Sequence, residues 1–387
     1  MATIGLNLRA ALGSIPPLLD QIVNELGLSA TIAGSLTSIA VIFMGLFAPV
    51  GQRIAARHGA EVATAFILGA LSVSGFMRLL ATSVIVLLVS VAVAGASMGA
   101  ASALIPGIIA RHVPKSRGLT TGIYSAGLAM GVAIAAWLAV PSANWLGGWR
   151  PALAVWGVFA AVTTVAWLSL IPRMRRTIHD HEDTPLIQRR LPWRSRTAWF
   201  VVAYTTAIMI IGFSGLAWIT PLYVELGESI DYAAGLFVLF QTVQLLAMLT
   251  LPTITDYTKD RRPLLFITLG AGALGIAFLL FFPLSMAIPA VALFGLGLGG
   301  GSTMGLILLV DYAGNQADAA RLGAMTLLIA FIVGASGPLI LGTLHDLTGS
   351  FSPGYAVMLV LTLITIAFLP LFRPGRSITD DEAAARA

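Results

Sequence analysis

Cysteine is absent from this chain, and charged residues are scarce. Lysine, arginine, aspartate and glutamate together make up 10% of the 387 residues, whereas 58% are hydrophobic. Soluble domains carry about 25% charged residues. A chain with so little charge and a mean hydropathy of +0.92 is therefore expected to lie in a lipid bilayer. Without cysteine, neither a disulfide framework nor a thiolate metal site can form.

Several functional signatures are also missing. No nucleotide-binding loop, nucleophile triad or metal-ligand spacing occurs, so we expect no enzyme, no cofactor and no ATP-driven mechanism within this chain. Asp311 and Glu61 stand only at the ends of apolar runs, so an intramembrane carboxylate relay for protons is not supported. The net charge of +5 could indicate nucleic-acid binding, but the basic residues lie in short loops, as membrane topology requires. No cleavable signal peptide is expected, because the first residues carry no cleavage signal.

Long apolar runs are what the sequence has in place of charge. A helix needs about 20 apolar residues to cross the hydrocarbon core. The runs predict an all-α membrane protein with about twelve transmembrane helices. The predicted spans are 2–22, 30–51, 61–80, 83–110, 118–140, 150–172, 197–224, 232–254, 263–282, 285–311, 322–344 and 353–372.

The distribution of basic residues predicts the orientation. If both termini are cytoplasmic, the inner loops and the tail hold 19 of the 22 Lys and Arg residues, and only Arg9, Arg78 and Arg150 lie elsewhere. Because cytoplasmic loops are enriched in Lys and Arg, we expect a multi-pass protein of the bacterial inner membrane with both termini in the cytoplasm. The opposite loops carry acidic residues instead: Asp20, Glu25, Glu225, Glu228, Asp231 and Asp346.

One long polar segment divides the chain. We predict an N-terminal six-helix bundle over 1–172, a cytoplasmic linker over 173–196, a C-terminal six-helix bundle over 197–372 and a cytoplasmic tail over 373–387. A cluster within the linker could hold a metal ion, but a solvated linker of mixed charge is the preferred interpretation. Its members are His179, Asp180, His181, Glu182 and Asp183.

The two bundles resemble each other in sequence. Residues correspond at offsets of 201 to 204, and the matched pairs are Pro17 with Pro221, Ala33 with Ala234, Pro49 with Pro252, Gly95 with Gly297 and Gly99 with Gly301. Such duplication is typical of transporters that rock two bundles around a central site. We therefore expect a cavity at the interface of the halves, lined by the first, fifth, seventh and eighth spans.

Arg9 is the strongest candidate for a binding residue. A guanidinium inside a helix span costs about 2.5–3.5 kcal/mol on insertion scales, so it is expected to face a wet cavity or a bound anion. Gly13 and Pro16 share its helical face, which makes this helix thin and easily broken there. The alternative is that Arg9 lies near the cytoplasmic end and only snorkels. Since no fixed anion accompanies it, a bound ligand would itself be an anion.

Other polar and aromatic residues could line the same cavity. Each alone could equally be a packing residue, but together they suit a small polar ligand between aromatic walls. The candidates are Asn7, Tyr124, Thr121, Tyr204, Trp218, Gln241 and Gln244, although Asn7 points about 200° away from Arg9 on the helix. Arg78, which closes the third span, is interpreted as an outer-interface residue or as a guard of the external mouth.

Several stretches resemble the major facilitator superfamily. Residues 51–59 (GQRIAARHG) stand where that family has a conserved loop between helices 2 and 3, and residues 256–263 (DYTKDRRP) resemble its counterpart between helices 8 and 9. Residues 337–350 resemble helix 11 and its outer turn. The resemblance implies a conformational role for Arg53, Arg57, Gly59, Asp256, Asp260, Arg261 and Arg262. In the first copy Arg53 stands where the family has an aspartate, so the usual latch is not expected there.

Within that superfamily the chain is most similar to the cyanate permease and 2-nitroimidazole transporter group. The resemblance is carried by residues 5–9 (GLNLR), 217–225 (AWITPLYVE) and 295–300 (GLGLGG) with Asp311, although Ala10 replaces a proline common in the group. Relatives would carry more apolar residues ahead of Gly5, so this N-terminus is expected to be abbreviated.

The resemblance implies a secondary transporter that moves a small anion or a small polar heteroaromatic by alternating access. We expect it to act as a monomer whose partners are its small-molecule substrate and the lipid bilayer, with no nucleic acid. The alternatives are a drug or metabolite exporter of the same fold and, from another class, a non-transporting membrane sensor. The sensor is disfavoured because no soluble signalling domain is visible in the sequence.

Overall fold

A computed structural model describes residues 1–112, 117–176, 191–255, 260–313, 316–372, Ile378 and Asp381. Regular structure in these residues is entirely helical, which confirms the predicted all-α membrane fold. The linker cluster at 179–183 and Asp256 lie outside the described residues. No group of His, Asp and Glu that could hold a metal ion occurs among the residues described.

The first half of the chain contains seven helices in the ranges that the structure describes. A 3-10 turn at Pro16–Leu18 separates the first two, and a second turn at Arg78–Leu80 follows the fourth. The helices are α1 (Ala2–Gly13), α2 (Leu19–Leu26), α3 (Ala30–His58), α4 (Ala60–Met77), α5 (Val84–His112), α6 (Arg117–Leu146) and α7 (Trp149–Arg176).

The second half likewise contains seven helices within its described ranges. The eleventh predicted span of the chain, 322–344, is divided at Ala335 into two helices. The helices are α8 (Arg196–Glu225), α9 (Ile230–Thr255), α10 (Arg262–Phe281), α11 (Ala287–Asp311), α12 (Gln316–Gly334), α13 (Ser336–Thr348) and α14 (Ser352–Phe368), which a 3-10 turn at Leu369–Leu371 follows.

Eleven helical segments of the described residues are long and apolar enough to cross a membrane, and one of them, Arg321–Thr348, combines most of α12 with α13. The predicted first span is interrupted instead, because Pro16 and Pro17 have no N–H group to continue the backbone hydrogen bonds of α1. The lipid-facing character of the helices is visible in their exposed apolar side chains, among them Phe66, Val162 and Ile267. Such residues would be unfavourable on a water-facing surface.

The helices form two compact units. One comprises Met1–Leu186 with Glu228–Ala234, and the other comprises Ile187–Gly227 with Gly235–Ala387. In the first unit α1 packs along α6, α3 along α5, and α4 along α7. In the second unit α8 packs against α12, while α10 packs against α11 and α14. The predicted domain boundaries at 172 and 197 stay a prediction.

Glycines bring neighbouring helices into backbone contact at equivalent points of both units. Gly95 and Gly99 of α5 lie against α3, while Gly295 and Gly299 of α11 lie against α9. A methyl group on any of the four would collide with a backbone oxygen of the neighbouring helix. The added carbon would lie 2.1 Å from Ala40 O for Gly95 and 2.0 Å from Met44 O for Gly99. It would lie 2.5 Å from Phe240 O for Gly295 and 2.3 Å from Gln244 O for Gly299.

These contacts correct the internal register predicted from the sequence. Gly95 lies against Ala40 in the first unit, and Gly295 lies against Phe240 in the second. Each residue of the first contact is therefore 200 residues before its equivalent in the second. The sequence match of Gly95 with Gly297 was wrong by two residues. The run from Gly295 to Gly301 offers five glycines, and only the neighbouring helix decides which of them occupies the equivalent position.

Candidate substrate site

Close packing of α1 on α6 sets the position of Arg9. A methyl group on Gly5 would lie 2.5 Å from the carbonyl oxygen of Tyr124, and one on Gly13 would lie 2.7 Å from the Cα of Val132. Gly5, Arg9 and Gly13 are four residues apart and therefore share one helical face. The long side chain of Arg9 leans toward the N-terminus of its helix, and hence toward the level of Tyr124.

Arg9 and Tyr124 form the centre of the candidate site. The two side chains are close enough for the guanidinium and the phenol to interact electrostatically. Arg9 is half-buried, and no described residue accepts a hydrogen bond from its guanidinium or forms an ion pair with it. Tyr124 is only 6% exposed, and its hydroxyl has no hydrogen-bond partner among the described residues. Together they offer several donors to a ligand that would bring its own negative charge.

Asn7 joins two helices of the same unit. Its amide nitrogen donates to Thr3 O and to Thr163 Oγ1 of α7, both at 2.8 Å. The Asn7 Oδ1 atom is buried and has no partner in the described part of the chain. The amide group of Asn7 therefore links α1 to α7 through its nitrogen, on a side of α1 away from Arg9. A substrate contact at Asn7 stays a prediction.

Tyr204 and Trp218, both on α8, are bound to backbone carbonyl groups. The Tyr204 hydroxyl donates to Gly301 O at 2.9 Å, and the Trp218 indole Nε1 donates to Pro338 O at 2.9 Å. Both side chains are 2% exposed. Their polar atoms are thus occupied in holding α8 against α11 and α13, which is the packing role that the sequence left open. Their contact with substrate is still only predicted.

Gln241 and Gln244 of α9 differ from these aromatic residues. Both are half-buried, and neither side-chain amide has a hydrogen-bond partner among the described residues. They share a helix with the buried Phe237 and Phe240. These two amides are therefore available to a polar ligand or to water. The side chain of Thr121, the remaining candidate, lies outside the described part of the chain.

The second unit has an aromatic pair where the first has Arg9 and Tyr124. The match of Pro17 with Pro221 is an offset of 204, which places Phe213 of α8 at the position of Arg9. Phe331 precedes Gly334 by three residues, as Tyr124 precedes Gly127. The rings of Phe213 and Phe331 lie 6.4 Å apart. Duplication has thus produced a cationic, hydrogen-bonding pair in one unit and an apolar pair in the other.

The conserved-loop residues take different positions in the two units. Arg261 donates from Nε to Asp311 Oδ2 at 2.9 Å, so the loop before α10 is bound to the end of α11. Arg262 forms a two-pronged contact with Asp260, and these hydrogen bonds hold the pKa of Asp260 below its usual value. In the first unit Arg53 and Arg57 are exposed near the end of α3. Gly59 follows with φ of +90°, a conformation that favours glycine.

A buried pair, Glu61 with His112, was missed by the sequence analysis. The His112 Nε2 atom lies 2.8 Å from Glu61 Oε1, and Glu61 is only 4% exposed. The pair joins the start of α4 to the end of α5, as Arg261 and Asp311 join α10 to α11. The signal that could have found it is the register, since Glu61 precedes Arg261 by 200 residues and His112 precedes Asp311 by 199. The acid and the base have exchanged helices between the units.

Arg78 is buried within the first unit, which contradicts its interpretation as an exposed, snorkelling residue, whereas a role as guard of the external mouth stays a prediction. Its side chain is buried, with 1% of the residue exposed, and Nη2 donates to Ala11 O at 2.9 Å. Its position at the end of an apolar run suggested exposure. The run ends in a 3-10 turn that directs the side chain back into the bundle.

Comparison with known proteins agrees with this architecture. The Major Facilitator Superfamily profile matches residues 2–338. The chain is 30% identical to the cyanate transport protein CynX of Escherichia coli (strain K12), with 97% of each chain covered. It is 28% identical to the 2-nitroimidazole transporter of the same organism, with 94% of this chain and 92% of that protein covered.

Solved structures show the same fold at lower sequence identity. The xylose transporter XylE from E. coli, in an inward open conformation, superposes with a TM-score of 0.76 at 15% identity, over 99% of this chain and 98% of that one. The nucleoside transporter NupG gives a TM-score of 0.75 at 16% identity, over 96% and 98% of the two chains.

These findings confirm the resemblance drawn from the loop and helix motifs. The chain is a multi-pass membrane transporter and not an enzyme. It is a member of the Major Facilitator Superfamily.

Proposed function

We propose that this transporter moves a small anion, or a small planar molecule rich in hydrogen-bond acceptors, by secondary active transport with alternating access. The observation that carries the proposal is the half-buried Arg9 guanidinium, which has no anionic partner among the described residues and lies beside the unpartnered Tyr124 hydroxyl. We further propose the bacterial inner membrane as its location, both termini in the cytoplasm, and a monomer as the working unit.

Electrostatics favours an anion over other ligands at this pair. A guanidinium is always charged, and a charge away from water is costly unless a partner neutralises it. A small anion would supply the missing charge while accepting hydrogen bonds from both the planar fork and the phenol. A cationic substrate would be repelled at the same position.

The relatives named above support the same chemical class. Cyanate is a small linear monoanion, and the nitro group of 2-nitroimidazole presents two acceptor oxygens on a planar ring. Both expose acceptors that match the donors of Arg9 and Tyr124. At 30% identity or less, these names suggest the class of ligand and leave the substrate to be identified.

The proposal can be tested with purified wild-type protein. A ligand that binds only the native state raises the melting temperature, and a concentration of 100 Kd contributes about 2.7 kcal/mol. We expect stabilisation by cyanate or another small monoanion, and counterflow of that ligand in proteoliposomes. Stabilisation by apolar cations with no response to any anion or nitro compound would instead support the exporter alternative. The absence of counterflow with every small anion and nitro compound would contradict the proposed class of substrate.

A further inference from the structure

Arg78 is a buried cation whose chemistry the proposed substrate site does not use. Only 1% of the residue is exposed, and within the described part of the chain its guanidinium forms a single hydrogen bond, from Nη2 to Ala11 O. Its Nε and Nη1 atoms are buried without a partner among the described residues. No carboxylate of the described chain forms an ion pair with it. Burying a cation in this way is unfavourable unless other groups replace the water that it loses.

The break after α1 supplies those groups. In a continuous helix the N–H of Ile15 would bond Ala11 O, but here it bonds Leu12 O at 3.3 Å. That shift happens because Pro16 has no N–H to offer Leu12, and Pro17 likewise has none for Gly13. The break therefore leaves carbonyl oxygens without their helical donors, and Ala11 O is the one that Arg78 reaches.

The charge of Arg78 also has a partner in the helix itself. Carbonyl groups at the end of a helix carry a partial negative charge equivalent to about half an electron. Arg78 binds at the C-terminal end of α1, where this partial charge is concentrated. A cation without a carboxylate is thus stabilised by the broken helix end, and the broken end is stabilised by the cation.

We propose that Arg78 is a positioning residue for substrate binding: by bonding Ala11 O, it fixes the interrupted end of α1 and thereby the place of Arg9. Ala11 lies two residues after Arg9, within the same helical turn. Glycine contacts with α6 hold the other side of that turn. If the C-terminal end of α1 were loosened, the helix could rotate or slide and displace the Arg9 guanidinium. The inference rests on the proposed anion site at Arg9.

The first test measures the break directly and needs no ligand. Hydrogen–deuterium exchange over residues 9–18 should be faster in Arg78→Met, which keeps the bulk but removes every donor. Arg78→Lys, which retains a cationic donor group of similar reach, should stay close to wild type. Trp167→Phe is the matched control, because the buried Trp167 of α7 also donates to a backbone carbonyl, Glu61 O at 2.8 Å, and neither residue belongs to α1 or to the break. Unchanged exchange in a folded Arg78→Met protein would overturn the proposal.

The second test asks whether the contact of Arg78 with the break in α1 affects anion binding at Arg9. We expect Arg78→Met to weaken cyanate binding about tenfold, with the lysine variant losing less. Replacing both Pro16 and Pro17 by alanine lets Ile15 bond Ala11 O again, so Arg78→Met should cost little additional affinity in that background. An equal loss in both backgrounds would contradict positioning through Ala11. If wild type binds no anion, the proposed function fails, and the exchange measurement still decides whether Arg78 holds the break.

Discussion

Arg9 is the side chain on which the proposed selectivity depends most directly. Charged hydrogen bonds contribute about 1.5–3 kcal/mol each, so Arg9→Ala should weaken anion binding roughly tenfold to a hundredfold. Arg9→Lys should restore part of it, since lysine keeps the charge but loses the planar fork. The measurement is anion affinity and protein yield for the wild type and both variants.

A control separates a local effect from a loss of net charge. Arg194 is exposed, and its side chain forms no hydrogen bond or ion pair in the described part of the chain. Arg194→Ala should leave affinity unchanged. Unchanged affinity in Arg9→Ala would end the anion-site hypothesis. If Arg9 only snorkels, lysine should serve as well as arginine, and alanine should change protein yield more than affinity.

Residues of the site were predictable from sequence to different degrees. Arg9 could be found because a cation within an apolar run has few structural explanations. Tyr204 and Trp218 could not be separated from ligand-binding residues, since their partners are the carbonyl groups of Gly301 and Pro338. A backbone carbonyl is present at every position and leaves no signature in the sequence. The burial of Arg78 was misjudged for the same reason, because its partner is also a carbonyl.

At the scale of helices, close glycine contacts should set the stability of the first unit. A methyl group on Gly131 would lie 2.3 Å from Leu6 O, so Gly131→Ala must push α6 away from α1. We expect a loss of about 1–3 kcal/mol, as for other overpacked sites. Gly122→Ala, on the same helix, has no atom within 4 Å of the added methyl group and should be neutral or slightly stabilising. Thermal unfolding in detergent measures both, and equal melting temperatures would contradict the packing argument.

The pair Glu61 with His112 is matched to its helix dipoles, whereas Arg261 with Asp311 opposes them. Glu61 lies in the first turn of α4 and His112 in the last turn of α5, where an anion and a cation respectively are favoured. Arg261 is the N-cap of α10, and Asp311 ends α11, so both charges stand at the less favourable helix end. The first unit should therefore hold its pair more tightly than the second.

Exchanging the first pair tests this difference. Glu61→His and His112→Glu alone each place like groups together in a buried site and should destabilise by about 1–3 kcal/mol. The double variant restores the contact but reverses both dipole interactions, each of which contributes about 0.3–1 kcal/mol. We therefore expect partial recovery of the melting temperature. Full recovery would show that the dipoles do not matter, and no recovery would show that the contact itself does not stabilise the unit.

Helix boundaries were well predicted, and helix partners were not. The first span was an exception: it was predicted as one run over 2–22, and only the weakness near Pro16 was recognised, because proline removes a donor wherever it stands. The pair Glu61 with His112 could not be anticipated, since 51 residues separate its members and no motif joins them. Partners across helices depend on rotation about the helix axis, which apolar runs without strong periodicity do not define.

On the scale of the whole molecule, duplication explains why both units share one packing scheme. The 200-residue register holds for the glycine contacts of Gly95 and Gly295, although the side chains around them differ. Backbone approach is constrained by the fold, so glycine persists there. Side chains such as Arg9 and Phe213 stand at equivalent positions with opposite character, which lets one fold present two kinds of surface.

Orientation in the membrane is the property of the whole chain that the sequence predicts and that labelling can test. The predicted cytoplasmic segments hold 19 of the 22 basic residues, and moving them across the bilayer would oppose the positive-inside rule.

Because the chain has no cysteine, single cysteines can be introduced without a background signal. Asp183→Cys, in the predicted linker, should be labelled by an impermeant thiol reagent only after the cells are opened. Glu228→Cys, in a predicted outer loop, should be labelled in intact cells and serves as the matched control. Labelling of the cysteine at position 183 from the periplasm would contradict this topology, because the segment with the most basic residues would then lie outside the cytoplasm.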